Sequence, residues 1–301
     1  TPRILADAFY NSVDIPFLVF SICAAYTLLT LLRTPTWQRA ALHGIICGLA
    51  FDLRVVAAIW VPLTCGLFWC QHQKRMTFPI YRNLACTYLG TFAVTTFVCW
   101  PLLWQNPLVL VPALWEVARF DMIIYTLFQG EMLTGPGSPW QYLPVWMGIT
   151  IPVSILALGI LGFLSSWAAV RTKVTSALPL VWFTPPLLLV LFCNPTLYSG
   201  WRHFFFIYPA FILCALEGVN WLYTRIRGKH ILKRVGLCLL MGSVLHLVII
   251  DVTYHPYQHL YFNALAPSMT TPCQAYDTDY WGLSYKEIFE QVLAHDNRSP
   301  L

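Results

Sequence analysis

Stretches of apolar residues close to the length of a lipid bilayer recur along this chain, and they constrain its fold more than any other feature. They run at about 15–32, 40–52, 55–70, 84–104, 147–167, 177–193, 204–223 and 235–251. A helix needs roughly 20 mainly apolar residues to cross the hydrocarbon core, where every backbone N–H and C=O must be satisfied internally. Composition agrees: 10% of the residues are charged, against about 25% in a typical soluble domain. The sequence therefore predicts an all-α fold, a polytopic membrane helix bundle of about eight spans with outer loops and a short outer C-terminal tail.

One stretch allows two readings. Residues 41–70 form either one long helix with Asp52 and Arg54 near its middle or two short helices meeting at a turn there. With the turn, Arg33, Arg39, Lys74, Arg75, Arg82, Arg171, Lys173, Arg225, Arg227, Lys229, Lys233 and Arg234 all fall on one side, which the positive-inside rule marks as cytoplasmic. The one-helix reading places Arg33 and Arg39 opposite the other ten. Charge placement favours the turn, and the acidic residues, Glu217 apart, then gather at or beyond the outer boundary. The net charge of +5 accordingly belongs to helix ends and calls for no nucleic acid partner. Residues 1–251 are read as the helical membrane domain and 252–301 as an extracytoplasmic tail packing on the outer loops.

Nine of the ten cysteines lie in or beside apolar stretches, so no disulfide framework or zinc pattern is expected. The chain opens on Thr1 without a leader pattern and reads as lacking its N-terminal part.

Chemistry is expected on the outer side. Arg3, Asp7, Asn11 and Asp14 precede the first span at the three-to-four spacing of one helix face. They are either an interfacial helix with Asp14 as N-cap of the span, or a carboxylate pair able to bind a divalent cation or take a proton from an acceptor hydroxyl. Arg54 stands either in a solvated turn beside Asp52 or against an anionic group. Arg202 and His203, in PTLYSGWRHFFFIYP, are interface anchors or a phosphate clamp, the guanidinium fork and imidazole stabilising negative charge on a leaving phosphate. The loop 105–146 carries an amphipathic stretch at 112–128 and then Gly130, Gly135, Pro136 and Gly137, the makings of a cover or an inert connector. In the tail, His255 and His259 are four apart without acidic partners at ligand spacing, and packing onto the outer loops is the expectation.

The motifs PRILADAFYNSVDIPF, PLLWQNP, PWQYLPVW, LYSGWRHFFFIYP, HPYQHLYFNAL and DYWGLSYKE, in that order, resemble the bacterial branch of the C-type (GT-C) membrane glycosyltransferases, similar to the dolichyl-phosphate-mannose protein mannosyltransferases and the lipid A aminoarabinose transferase. The resemblance implies a transferase in the bacterial inner (plasma) membrane that moves a hexose or pentose from a polyprenyl-phosphate donor to an acceptor on the extracytoplasmic face. It places the family's principal catalytic aspartate in a loop before Thr1. Asp14 then resembles the second family carboxylate, which lines the site and can hold a divalent metal ion, and Arg202 and His203 match the WRH motif. Asp7 as a second catalytic-site acid and Arg54 as a phosphate ligand extend the pattern. YFNALAP lacks the small-residue pair expected after its motif. The rival reading is a polytopic transporter or lipid flippase, for which paired broken helices in two repeat halves would be expected and one break is visible. A non-catalytic scaffold is a third.

Overall fold

The computed structural model describes residues 1–73, 76–119, 124–134, 137–169, 174–193, 195–266, 272–279 and 281–295. In chain order the helices are α1 (Pro2–Asp7), α2 (Asp14–Arg33), α3 (Trp37–Leu53), α4 (Trp60–His72), α5 (Phe78–Cys99), α6 (Leu102–Gln105), α7 (Leu110–Arg119), α8 (Tyr142–Thr150), α9 (Val153–Ala169), α10 (Leu178–Cys193), α11 (Tyr208–Arg225), α12 (His230–Thr253), α13 (Pro272–Ala275) and α14 (Tyr285–His295). Short 3-10 turns at Val55–Ile59 and Arg202–Ile207 lead into α4 and α11. Six of the eight apolar stretches fall mainly on one helix each, whereas 84–104 runs past the end of α5 into α6 and 147–167 is divided between α8 and α9. Four helical segments, Asp14–Arg33, Val55–His72, Arg202–Arg225 and His230–Thr253, are long and apolar enough to cross a membrane by length and composition, whereas α9 and α10 are apolar but shorter. None of the apolar window of α12 is buried inside the protein. A helix apolar around its whole circumference and uncovered by its own chain is suited to lipid rather than to water.

The stretch 41–70 is two helices. α3 closes at Arg54, whose backbone is extended (φ −150°, ψ 124°). Ten residues beyond it on α4, the Thr64 hydroxyl meets His43 Nε2 of α3 at 2.7 Å. In one continuous helix those residues would stand about 31 Å apart at 1.5 Å per residue, so the chain folds back at Arg54. His72 Nε2 meets the Leu32 carbonyl at 3.0 Å, and Arg39 donates to the Thr30 carbonyl at 2.9 Å. The end of α2, the start of α3 and the end of α4 thus share one end of the bundle. Arg54 pairs with Asp14, which places the turn and the start of α2 at the opposite end.

Two parallel helix pairs carry this alternation onward. His43 stacks on Tyr88 and Phe51 contacts Phe92 and Trp100, so α3 and α5 run together. A Cβ at Gly44 would lie 2.4 Å from the Tyr88 carbonyl oxygen, a close approach that glycine permits. In α9 and α11, Gly159 faces Phe211, and a Cβ on Gly162 would stand 1.6 Å from the Cys214 carbonyl oxygen. Arg33, Arg39, Arg225, Arg227, Lys229 and Lys233 lie at the termini of α2, α3, α11 and α12 that are remote from Asp14. Lys74, Arg75, Arg171 and Lys173 lie outside the described residues.

The loop 105–146 departs from the all-α expectation. Its amphipathic stretch is not one helix: α7 ends at Arg119, and Tyr125–Phe128 (β1) pairs antiparallel with Glu131–Thr134 (β2). Gln129 and Gly130, both at positive φ, make the two-residue turn that right-twisted strands favour. Asp121, Gly135 and Pro136 fall outside the described residues. The tail docks on this hairpin, with Asp277 and Leu127 exchanging hydrogen bonds at 3.1 and 3.2 Å. It also covers α8, where Asn263 donates to the carbonyls of Gly148 and Ile151 at 2.7 and 2.5 Å. Those carbonyls are released because Pro152 prevents α8 from continuing into α9. Cys23, Cys47, Cys65, Cys70, Cys86, Cys99, Cys214 and Cys238 are free thiols.

Candidate functional site

The site is organised around Asp14, buried to 1% exposure at the first residue of α2. Its N-cap position is Val13, and no side chain of that residue caps the helix. Asn11 caps it instead, from two positions earlier in the chain. The Asn11 Oδ1 accepts the Asp14 N–H at 2.8 Å and the Val13 N–H at 3.3 Å. The expectation of Asp14 as N-cap is therefore corrected, and the physical consequence is that the carboxylate is released for side-chain partners. Asn11 Nδ2 bridges to Asp14 Oδ2 at 2.8 Å and to Asp7 Oδ1 at 3.0 Å. The single helix face read from the spacing is also corrected, because α1 stops at Asp7 and a turn carries the chain to α2. Spacing gathered the right residues; a turn rather than a continuous helix does so.

Two guanidiniums close on Asp14 from distant parts of the chain. Arg54, at the fold-back between α3 and α4, pairs with Oδ1, and Arg202 Nη1 stands 3.3 Å from Oδ2. The Arg54 pairing replaces the local one expected with Asp52, which is exposed. Arg202 is aligned by two aromatic rings, Tyr198 at 5.0 Å and Trp281 at 5.1 Å. His203 packs edge-on to Tyr198, ring centroids 4.7 Å apart, and lies in the electrostatic field of Arg54 and Arg202. All five expected site residues, Asp7, Asp14, Arg54, Arg202 and His203, are thus at one end of the bundle. The structure adds Asn11, Tyr198 and Trp281, and also Arg3, which is 5% exposed, donates to the Tyr261 carbonyl at 2.9 Å and lies over Phe262 at 4.4 Å. At Asp14 itself two guanidiniums, Arg54 and Arg202, face one carboxylate, a local excess of positive charge. Such a site favours an anionic ligand.

A divalent metal at Asp14 would compete with the partners that carboxylate already has. Both Asp14 oxygens already face cationic or amide donors, and among the described residues no three His, Cys, Asp or Glu converge. A cation here would have to displace two guanidiniums from a buried carboxylate.

Beside the arginines the N-terminal segment meets the tail. Tyr10 packs against Trp281 at 5.8 Å and His259 at 6.5 Å, and its phenol is pushed above the usual range by burial and then by Asp7. The sequence reading places the tail on the outer loops but not these contacts with Tyr10, which join residues some 250 positions apart.

Compared with known proteins, the chain matches no family model, no curated protein and no solved structure. What the fold defines is a helical membrane protein with an arginine-rich, carboxylate-centred site at one end of its bundle.

Proposed function

We propose that this protein is a C-type membrane glycosyltransferase of about eight spans, moving a sugar from a polyprenyl-phosphate donor to an acceptor at the extracytoplasmic face of a bacterial inner membrane. The observation that carries this reading is the convergence of Arg54 and Arg202 on Asp14 at the end of the bundle away from the basic loops. A lipid carrier keeps its tail among the spans and brings its phosphate to the boundary, where two guanidinium forks supply counter-charge. When the bond between the anomeric carbon and the phosphate oxygen breaks, charge grows on the leaving phosphate, and cations fixed beside it stabilise that charge without reorganising. Asp14 aligns both arginines, and Asp7 is held beside it through Asn11. His203 adds a further ring at the phosphate side. Alternation of the helices puts the basic ends together, as a cytoplasmic face requires.

The test uses the full-length protein reconstituted in vesicles with a labelled polyprenyl-phosphate sugar. Arg202→Ala is expected to lower turnover by about 100-fold, the scale of one lost charge-stabilising donor. Wild-type turnover in both Arg202→Ala and Asp14→Asn would overturn the reading. The extended break at Arg54 is also what a transporter or flippase would use, and in that case labelled lipid would cross the bilayer with its sugar still attached.

A further inference from the structure

Next to the arginines is a second polar cluster that the phosphate chemistry does not use. His259 is 3% exposed, yet neither ring nitrogen has a hydrogen-bond partner. Its Nε2 stands 3.9 Å from Asp279 Oδ1, beyond hydrogen-bond length. Asp279 is fixed from behind by the N–H groups of Leu283 and Ser284, both at 2.9 Å, and by the Ser284 hydroxyl at 2.5 Å. Tyr10 stands edge-on to His259, and its buried hydroxyl likewise has no hydrogen-bond partner. Trp281 connects the cluster to the site already described, touching Tyr10 on one side and Arg202 on the other.

Buried polar atoms in native proteins are overwhelmingly hydrogen-bonded, so a group of this kind points to a polar guest. The protonation states define its chemistry. Burial depresses His259 against the opposing pull of Asp279, which keeps the imidazole neutral, with one donor and one acceptor nitrogen. Burial works to raise Asp279, but the hydrogen bonds from Ser284 and Leu283 outweigh it and hold the carboxylate low and ionised, an acceptor. Tyr10, shifted upward, keeps its proton and donates. A donor, an acceptor and a group that is both, flanked by an indole face, match neighbouring hydroxyls on a saturated ring.

We infer that Tyr10, His259 and Asp279, with Trp281 as a stacking wall, form a sugar subsite that binds the hydroxyls of the donor's sugar while Arg202 and Arg54 hold its phosphate. This inference rests on the lipid-phosphate reading above and deepens it by assigning the sugar end of the donor. Polarity of the site accounts for the direction: the phosphate belongs with the arginines, and the ring next to it extends past Trp281 toward the tail. Recognition by buried polar groups is also where discrimination is large, since a ligand lacking the hydroxyl leaves them unpaired.

The experiment measures equilibrium binding of two probe types to the full-length protein in nanodiscs: decaprenyl phosphate, and decaprenyl phosphate bearing a hexose or a pentose, offered as a small panel. The wild type is expected to bind at least one sugar-bearing lipid about tenfold more tightly than the bare lipid. His259→Leu should abolish that preference and leave bare-lipid affinity within about twofold, whereas His259→Gln, which retains a donor and an acceptor, should keep part of it. Trp281→Leu, at a position 42% exposed, gives a second reduction without a core change. Arg202→Ala should weaken both probes alike. A preference retained in His259→Leu overturns the subsite, as does an equal loss for both probes in that variant, or a wild type that prefers no sugar of the panel. A wild type that binds neither lipid overturns the donor reading itself, and the subsite with it.

Discussion

Asn11 accepts the backbone N–H of Asp14 at 2.8 Å and donates its own amide to the Asp14 carboxylate, also at 2.8 Å. One side chain therefore both starts the first long helix and sets the orientation of the acid at its head. Asn11→Ala is expected to destabilise the protein by about 1–3 kcal/mol, the cost of leaving buried groups unsatisfied. Asn11→Asp should be worse, since it places a third carboxylate between Asp7 and Asp14. Thermal melting of the detergent-solubilised variants checks the order, and Asn11→Asp melting at or above Asn11→Ala would contradict it.

Asp14 has both oxygens committed to arginines while being 1% exposed. Removing one partner from a buried charged group costs about 3–5 kcal/mol, most of it the penalty on the charge left behind. Asp14→Ala leaves two guanidiniums facing each other and should approach that range. Asp14→Asn keeps an acceptor and should cost less. Arg54 and Arg202 are partly reached by solvent, at 25% and 13%, so truncating either should be milder than Asp14→Ala. Denaturation of purified variants in one detergent reads out this ranking, and an Asp14→Ala protein as stable as wild type would refute the pairing.

The helix pairs α3 with α5 and α9 with α11 depend on backbone approach at glycine. Gly162→Ala would set its methyl carbon 1.6 Å from the Cys214 carbonyl oxygen, and Gly44→Ala 2.4 Å from that of Tyr88. Both obstacles are backbone, which cannot rotate aside. Each substitution should cost about 1–3 kcal/mol through forced separation of the helices. Gly66→Ala on α4 meets nothing within 4 Å and serves as the control, neutral or slightly stabilising through helix propensity. Equal melting temperatures for Gly162→Ala and Gly66→Ala would remove this account of the packing.

What the sequence reveals and what it conceals follow from the range of the interactions. The helices are legible because an apolar run declares itself within about 20 residues. The fold-back at Arg54 is legible through charge, since only a turn there gathers Arg33 and Arg39 with the other basic ends. Asp7, Asn11 and Asp14 are close in the chain, so their spacing shows them together although a turn replaces the expected helix. The role of Asn11 as cap is hidden by its two-residue offset from the usual position. The β1–β2 hairpin is hidden because Gln129–Gly130 is a weak turn signal and its strands are stabilised by Tyr276 and Asp277 from the tail. His259 shows no acidic partner at ligand spacing, and Asp279 reaches it only through the tail's own fold.

Burial of His259 in the docked tail makes its attachment dependent on pH. His259 titrates below its ordinary value when docked, chiefly because it is buried, although Asp279 pulls the other way and Arg3 adds to the depression. An undocked tail returns the imidazole to about 6.5. The detached state therefore binds more protons than the docked one below that value, and docking weakens as pH falls through it. Asp279, depressed in the docked state, adds a loss of the same sign only below the ordinary carboxylate range. Asp277, raised by burial, has the opposite sign and opposes docking as it ionises. Tyr10 and Tyr257, the other titratable rings around His259, keep their protons throughout this window. Amide hydrogen exchange at Asn263 and Asp277, corrected for intrinsic rate, should accelerate between about pH 7.5 and about pH 5.5, and His259→Gln should flatten the change. Equal pH dependence in the two proteins would show that some other group governs the tail.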